Sequence, residues 1–276
     1  MQNKFASWIL LCAGALLFAV TAQAAPERTA GRIVAAKVHG TVTAIHKADN
    51  MRRELHDSDS VAEGYVITTA QKSSVVLLFA NGAAVNLAAD SSLSIDEFLM
   101  DPFDPKYSVA DAKEEPSTSV TKLSLERGEF VGNVKHLHRD NGSSFTINTP
   151  VGAAGIRGTT FQFSIGVDSA GKPFVNFGTS EGLVSLTALD GIEHLIPAGK
   201  AVSVTFETTT NPTTGEVSVV TGSVKVSGVE DMPATQQAAI QQAVEQILTA
   251  PPSTPTPAAP EATKPSVETT PGDGKG

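Results

Sequence analysis

A cluster of glycines around one arginine, at residues 149–161, constrains the fold more than any other part of the chain. The segment reads TPVGAAGIRGTTF and lies between two stretches of alternating apolar and polar residues, 144–148 and 161–165. Such alternation predicts β-strands, glycine permits positive φ and close backbone approach, and proline fixes φ and removes a donor. The sequence therefore predicts a strand that leaves its sheet, crosses over and re-enters.

Turn signals between alternating stretches predict how the other strands are joined. Asn-Gly at 81–82 and at 141–142 and Asp-Gly at 190–191 indicate hairpins, because these residues accept the positive φ of tight turns. A longer turn at 168–173 separates two further strands. Four hairpins predict a mainly antiparallel sheet. Because alternating strands need a second layer over their apolar face, we expect an all-β sandwich or jelly-roll-like domain over residues 31–228, with a β-helical arrangement as the alternative.

Two segments differ from the strands in composition. Residues 99–119 are rich in Asp, Glu and Pro, which predicts an acidic surface loop between two strands. A weak calcium site is the alternative for this loop, although the ligand spacing of calcium loops is missing. Residues 250–276 are dominated by Pro, Thr, Ala and Glu, and we expect a disordered tail because this composition buries too little apolar surface.

Helical periodicity is convincing in one stretch, residues 231–249. It places Ile240, Val244, Ile247 and Leu248 on one face of an amphipathic helix whose other face is rich in glutamine. This apolar stripe suits two uses. The helix can dock on its own sheet, or it can bind a partner or a second copy of the chain.

The first 24 residues have the three parts of a secretory signal peptide. Lys4 supplies the positive charge, residues 8–20 are apolar, and residues 22–24 form an Ala-x-Ala cleavage site. The apolar run is shorter than the ~20 residues that a membrane-spanning helix needs. We therefore expect a periplasmic or secreted product that begins near Ala25 and is not inserted in the membrane; a retained N-terminal anchor is the alternative.

Composition and motifs argue against several classes of function. The net charge is −9 and Lys and Arg are scattered, so there is no basic patch for nucleic acid. The one cysteine, Cys12, lies in the predicted leader, and His136 and His138 lack further zinc ligands. Residues 178–182 match Gly-x-Ser-x-Gly, but a strand instead of a helix follows the serine. We predict no enzyme activity, no cofactor and no metal.

The glycine-rich segment resembles the signature of the FecR domain family, in which a Thr-Pro run leads to Val/Ile-Arg-Gly-Thr-x-Phe. The residues that carry this resemblance, called the signature residues below, are Thr149, Pro150, Gly155, Ile156, Arg157, Gly158, Thr159 and Phe161. Upstream similarity extends the resemblance to about residues 33–206. The family implies a periplasmic sensing or scaffold module. Its regulators sit in the inner membrane, receive a signal from an outer-membrane transporter and control a cytoplasmic sigma factor. This chain shows no transmembrane helix after its leader, so we do not expect that full role.

These observations predict a non-enzymatic, exported module that binds an envelope protein as a sensor or scaffold. The signature residues and the helical stripe are candidate contact sites, and an exposed sheet edge is a third through β-augmentation. Arg157 can donate to carbonyls left unpaired at the crossover, or contact a partner's carboxylate. A cell-surface glycan-binding module is the alternative function, although the exported chain would lack tryptophan. The sequence names neither the partner nor the oligomeric state.

Overall fold

The computed structural model describes residues 28–104 and 112–251. The predicted leader at 1–24 and the tail from residue 252 onward lie outside these ranges, as do residues 105–111 within the acidic insertion. What the sequence indicates for the leader and the tail therefore stays a prediction. The insertion itself is bounded by strands that end at Met100 and begin at Ser119, close to the limits that composition predicts.

Strands dominate the described ranges and one α-helix follows them. The strands are β1 Thr29–Ala30, β2 Ile33–His39, β3 Val42–His46, β4 Arg52–Glu54, β5 Ser60–Val61, β6 Tyr65–Thr69, β7 Ser74–Phe79, β8 Ala84–Leu87, β9 Ser92–Met100, β10 Ser119–Asn133, β11 Ser144–Thr149, β12 Gly152–Val167, β13 Pro173–Ala188, β14 Glu193–Pro197, β15 Lys200–Thr205, β16 Thr208–Thr210, β17 Val217–Val219, β18 Lys225–Val226 and β19 Glu230–Asp231. The helix, α1, is Ala234–Leu248, and short 3-10 helices occupy Arg139–Asn141 and Thr221–Ser223. The predicted all-β domain with one C-terminal helix is confirmed.

Strand β10 organises the sheet because it has neighbours along both edges. On one edge it pairs antiparallel with β9 and β8, and on the other it pairs with β11 and β12. The β10–β11 pair is parallel, whereas the other pairs between described strands are antiparallel. The two longest strands, β12 and β13, form a hairpin, and β16 and β17 form a separate two-stranded sheet.

Two of the predicted tight hairpins are present, but only one of the two central turn residues has positive φ. Asn-Gly at 81–82 joins β7 to β8, and Asp-Gly at 190–191 joins β13 to β14. In each turn the glycine alone has positive φ, +85° at Gly82 and +78° at Gly191. Asn81 is buried instead: its Nδ2 donates to Ser119 Oγ at 3.0 Å and its Oδ1 accepts from the amide of Ala83 at 3.1 Å. The asparagine thus ties the turn to β10.

The predicted hairpin at residues 141–142 is wrong. Gly142 has a φ of +90° and ends a 3-10 helix, and the strand that follows, β11, runs parallel to β10. Residues 134–143 carry the chain back across the sheet before β11 begins, so the two strands run in the same direction. Asn-Gly indicates a turn that needs positive φ, but it does not indicate which strands the turn connects.

The main core is continuous from Ile33 in β2 to Phe206 after β15. Its largest fully buried side chains include seven phenylalanines, Phe79, Phe98, Phe130, Phe145, Phe161, Phe163 and Phe177. Several of them meet edge to face, with ring centroids 4.7 Å apart for Phe163 and Phe177. Such pairs add about 0.5–1.5 kcal/mol each beyond the area they bury.

Candidate functional site

The signature residues lie on a β-hairpin, not on a crossover, and six of the eight are on its second strand. Thr149 ends β11, Pro150 and Val151 form a tight turn, and β12 begins at Gly152, directly opposite Thr149. Along its length β12 keeps β13 as one neighbour, while its other neighbour changes from β11 to β10 near residues 157–160. The prediction that the strand leaves its sheet is wrong, because a bulge at 157–160 lets it change partner without leaving.

A buried threonine hydroxyl closes this bulge. The register between β12 and β13 is interrupted between Arg157 and Thr160. Between them Thr159, 2% exposed, accepts a hydrogen bond from the amide of Arg157 at 3.2 Å and donates to the carbonyl of Leu183 at 3.2 Å. Its own backbone pairs in both directions with Val134, at 2.9 and 3.0 Å. Thr159 therefore satisfies the groups that the interrupted ladder would leave unpaired.

Two glycines allow the backbones to meet at the bulge. Gly158 and Gly182 have φ of +62° and +78°. A Cβ on Gly182 would lie 2.4 Å from the carbonyl oxygen of Gly158, and a Cβ on Gly158 would lie 3.0 Å from His136 Nδ1. Gly155 differs, since the nearest atom to a Cβ placed there is Ser185 O at 3.9 Å. Packing within the described chain therefore demands glycine at 158 and 182, but not at 155.

The apolar signature residues belong to the core. Ile156 is buried, and the ring of Phe161 packs against Phe130 and Phe163 at centroid distances of 5.8 and 5.1 Å. Gly132 on β10 leaves room for this ring, because a Cβ there would lie 2.3 Å from it. These two side chains hold the bulge in place and are not available to a partner.

Arg157 is half-buried, but its guanidinium makes no hydrogen bond or ion pair within the described part of the chain. The role of satisfying unpaired carbonyls, one of the two that the sequence leaves open, is therefore filled by Thr159. The guanidinium retains five donors in a fixed planar arrangement, which suits bidentate recognition of a carboxylate.

A polar cleft of about 420 Å³ opens beside the bulge. Lys113, Lys135, His136 and Glu181 contribute to its wall. Glu181 accepts a hydrogen bond from the hydroxyl of Thr160 at 3.2 Å, and Asn133 donates to the same hydroxyl at 2.9 Å; the carboxylate, hydroxyl and amide thus brace one another across β10, β12 and β13. This arrangement can bind a polar group, but the Thr160 hydroxyl is committed to bracing the strands.

The predicted partner helix uses half of its apolar stripe internally. Ile240 is 1% exposed against the sheet, whereas Val244 and Ile247 are half-buried and Leu248 is 78% exposed. At the end of the helix, Lys37 Nζ contacts Gln246 Oε1 at 3.4 Å and the Thr249 hydroxyl. The helix docks on its own sheet at its centre, while its last turn presents an apolar side chain to solvent.

The other motifs singled out in the sequence lie on a strand and in a connection between strands. The Gly-x-Ser-x-Gly segment is part of β13, and Ser180 is exposed at the irregularity opposite the bulge. His136 and His138 lie within the connection from β10 to β11. Within residues 28–104 and 112–251, no group of three or more His, Cys, Asp or Glu is placed to hold a metal ion. None of the described helices is long and apolar enough to cross a membrane.

Sequence reasoning missed the residues that approach the bulge from elsewhere in the chain. Val134, His136 and Gly182 reach it from segments more than 20 residues away, and local pattern carries no such information. One signal was present: a glycine within a strand often marks a bulge, and Glu-Gly at 181–182 interrupts an otherwise regular strand.

Comparison with known proteins assigns one segment of the chain to a family. Residues 65–185, which include all the signature residues, match the family model described as FecR protein. This segment is a FecR domain. The resemblance seen in the sequence is thereby confirmed, and a FecR domain supports a sensing or signal-transduction role.

Similarity beyond the FecR family model is distant. Two crystal structures, at 2.50 and 1.65 Å resolution, of a proposed anti-sigma factor from Parabacteroides distasonis align with this chain. In each case the identity is 13%, the TM-score is 0.40, and the alignment covers 64% of this chain and 64% of that one. No curated protein matches the chain.

Proposed function

We propose that this FecR-domain protein is an exported, non-enzymatic module that binds a protein of the cell envelope as a sensor or scaffold. The observation that carries the proposal is the lack of an internal partner for the Arg157 guanidinium within the described chain. The bulge around it is closed by Thr159, while the guanidinium itself makes no bond within the described chain. A half-buried arginine whose guanidinium has no partner within the described chain suits a carboxylate on another protein.

The surroundings of Arg157 support a protein contact. Leu183 lies directly opposite Arg157, and Pro197 lies directly opposite Leu183, so the three side chains share one face of the sheet. Strand β14, which carries Pro197, pairs only with β13 within the described ranges, and Leu195 on it is about half exposed. A charged group, apolar side chains and a sheet edge therefore adjoin, as β-augmentation requires.

Affinity capture from an envelope extract tests this proposal. The baits are the chain from Ala25 onward, the same chain with Arg157→Glu, and a control with Arg127→Glu, an exposed arginine on β10 that makes no bond within the described chain. We expect discrete proteins with the unaltered and Arg127→Glu baits and their loss with Arg157→Glu. Equal capture by all three baits would place the contact elsewhere, and no captured protein would reject the protein-binding role.

A glycan-binding module is the second candidate, and the polar cleft beside the bulge is the observation that favours it. Its wall includes Lys113 and Glu181, groups that hydrogen-bond well to sugar hydroxyls. Titration with soluble cell-wall glycan fragments, followed by calorimetry, tests it. Binding that is lost with Glu181→Gln but survives Arg157→Glu would support this alternative over the protein-binding role.

A further inference from the structure

Helix α1 is attached to the domain through a contact that is separate from the main core. It lies across the outer face of β8, β10, β12 and β13. The buried residues of this contact are Val131, Met232 and Ile240, with Ala243 and Val244 packed at its edge. Ile240 is the one helix residue that is fully buried. The helix is therefore held by a single main anchor.

The surface beneath the helix includes a row of four residues from adjacent strands. Val131, Gln162, Gly178 and Ala201 lie directly opposite one another on β10, β12, β13 and β15, so they face the same side; we call them the helix seat. A Cβ on Gly178 would lie 2.3 Å from Nε2 of Gln236. The glycine therefore leaves the space into which the helix descends.

The helix covers this seat imperfectly. Gln162 is 4% exposed, and its Oε1 is buried without a hydrogen-bond partner while its Nε2 donates to Glu129 at 2.5 Å. A buried acceptor without a partner costs free energy, and this cost is removed when water reaches it. Docking of the helix thus carries a penalty that undocking relieves.

The ends of the helix add little to the attachment. The first turn has Pro233 at its N-cap and no side-chain cap, and the last turn is tied by the exposed contact of Lys37 with Gln246 and Thr249. A 15-residue helix is only marginally stable on its own in water. Its structure therefore depends on the seat, and loss of the Ile240 anchor should release it.

We propose that α1 is a displaceable intramolecular ligand, and that the helix seat takes an amphipathic helix from a partner protein when α1 lifts away. The chemistry of α1 defines that partner helix: one branched aliphatic anchor at the position of Ile240, a small residue three positions later like Ala243, and uncharged polar residues around them. Binding of a helix in trans at the seat depends on the fold alone and not on the proposed function. Its use by an envelope protein rests on the proposed function.

Hydrogen–deuterium exchange on the chain from Ala25 onward tests the release of the helix. Ile240→Asp should raise exchange of α1 amides about tenfold or more, with β12 and β13 still protected. Leu248→Asp, the same substitution at an exposed position of the same helix, should leave α1 as in the unaltered chain. Unchanged α1 protection in Ile240→Asp, or loss of protection in β12 and β13 as well, would overturn the proposal.

A fluorescein-labelled synthetic peptide of residues 231–251 tests the seat itself, by fluorescence anisotropy. Because α1 occupies the seat in the unaltered chain, we expect the peptide to bind the Ile240→Asp chain about tenfold or more tightly than the unaltered one. A peptide carrying Ile240→Asp should not bind, and a chain with Gly178→Val added to Ile240→Asp should not accept the peptide. Equal binding to both chains, or no binding to either, would overturn the proposal whatever the capture experiment shows.

Discussion

Two neighbouring residues of the signature, separated only by Gly158, differ in what their side chains contact. Thr159 is buried, and its hydroxyl bonds both sides of the bulge. Arg157, two positions earlier, holds its guanidinium at the surface of the same strand without a bond in the described chain. The threonine maintains the fold, and the proposed function gives the arginine the role of recognition.

Substitution separates these two roles. Thr159→Val keeps the size of the side chain but leaves the amide of Arg157 and the carbonyl of Leu183 without that partner, which should lower the free energy of unfolding by about 1–3 kcal/mol. Arg157→Ala should change it by about 0.5 kcal/mol or less. Urea denaturation followed by circular dichroism measures both. A larger loss with Arg157→Ala than with Thr159→Val would assign the structural role to the arginine.

Asp96 is the centre of a polar cluster on the outer face. Its carboxylate, 28% exposed, accepts from Lys47 Nζ at 2.6 Å and from Ser94 Oγ at 2.7 Å, and Ser124 donates to its other oxygen. Burial alone would raise the pKa of Asp96. The hydrogen bonds from Lys47, Ser124 and Ser94 outweigh burial, so the pKa lies below its ordinary value of 3.8.

Acid should therefore remove the contribution of Asp96. A carboxylate with a lowered folded-state pKa stabilises the fold above its unfolded-state pKa, and this stabilisation is lost as the pH falls through the folded-state pKa. We expect Asp96→Asn to be less stable than the unaltered chain at pH 7, and the difference to shrink in acid. Asp140→Asn, at an exposed site, is the control. A difference that is constant from pH 7 to pH 2, measured by urea denaturation, would contradict this.

Elements differ in how firmly they are held. Strands β16 and β17 pair with each other and form a sheet of their own, and Val217 in β17 is 62% exposed. An isolated two-stranded hairpin is only marginally stable in water. By contrast β12 has neighbours on both edges along its length.

Hydrogen exchange should reveal this difference. We expect amides of β16 and β17 to exchange orders of magnitude faster than the paired amides of β12, because the hairpin can open without disturbing the core. Mass spectrometry of peptides covering residues 207–220 and 152–167 measures it, with unfolded protein as the reference for complete exchange. Equal protection of the two segments would show that the hairpin opens only with the whole domain.

At the scale of the whole molecule, one aromatic cluster links both halves of the chain. Phe163 contacts Phe130, Phe161 and Phe177, and its cluster belongs to a core that is continuous from β2 to β15. A continuous core has no internal boundary at which one half could unfold alone. The β domain should therefore unfold as one cooperative unit.

Phe163→Ala tests this cooperativity. The substitution leaves a cavity among three other rings and should cost about 3–5 kcal/mol of unfolding free energy. Val167→Ala, at an exposed position of the same strand, should cost about 0.5 kcal/mol or less. Chemical denaturation followed by circular dichroism should show a single transition for both. Two separate transitions, or a negligible cost for Phe163→Ala, would contradict a single core.

The sequence by itself determined the features that depend on local pattern. Alternation identified the strands, Asn-Gly at 81–82 and Asp-Gly at 190–191 located two hairpins, helical periodicity located α1, and the Arg-Gly-Thr segment identified the family. These features follow from backbone dihedrals and from the spacing of apolar residues on the buried face of an element, both of which are encoded within a few residues.

Tertiary structure alone decided which segments meet. It made β11 parallel to β10, kept the signature residues from Gly155 to Phe161 on one strand through a bulge, and brought Val134 to Thr159 and Gly178 beneath Gln236. Contacts of this kind join residues far apart in the chain, and they are chosen by how the whole core packs. Thus a local pattern singled out Arg157, but only the fold showed that Thr159 closes the bulge and that the Arg157 guanidinium makes no bond within the described chain.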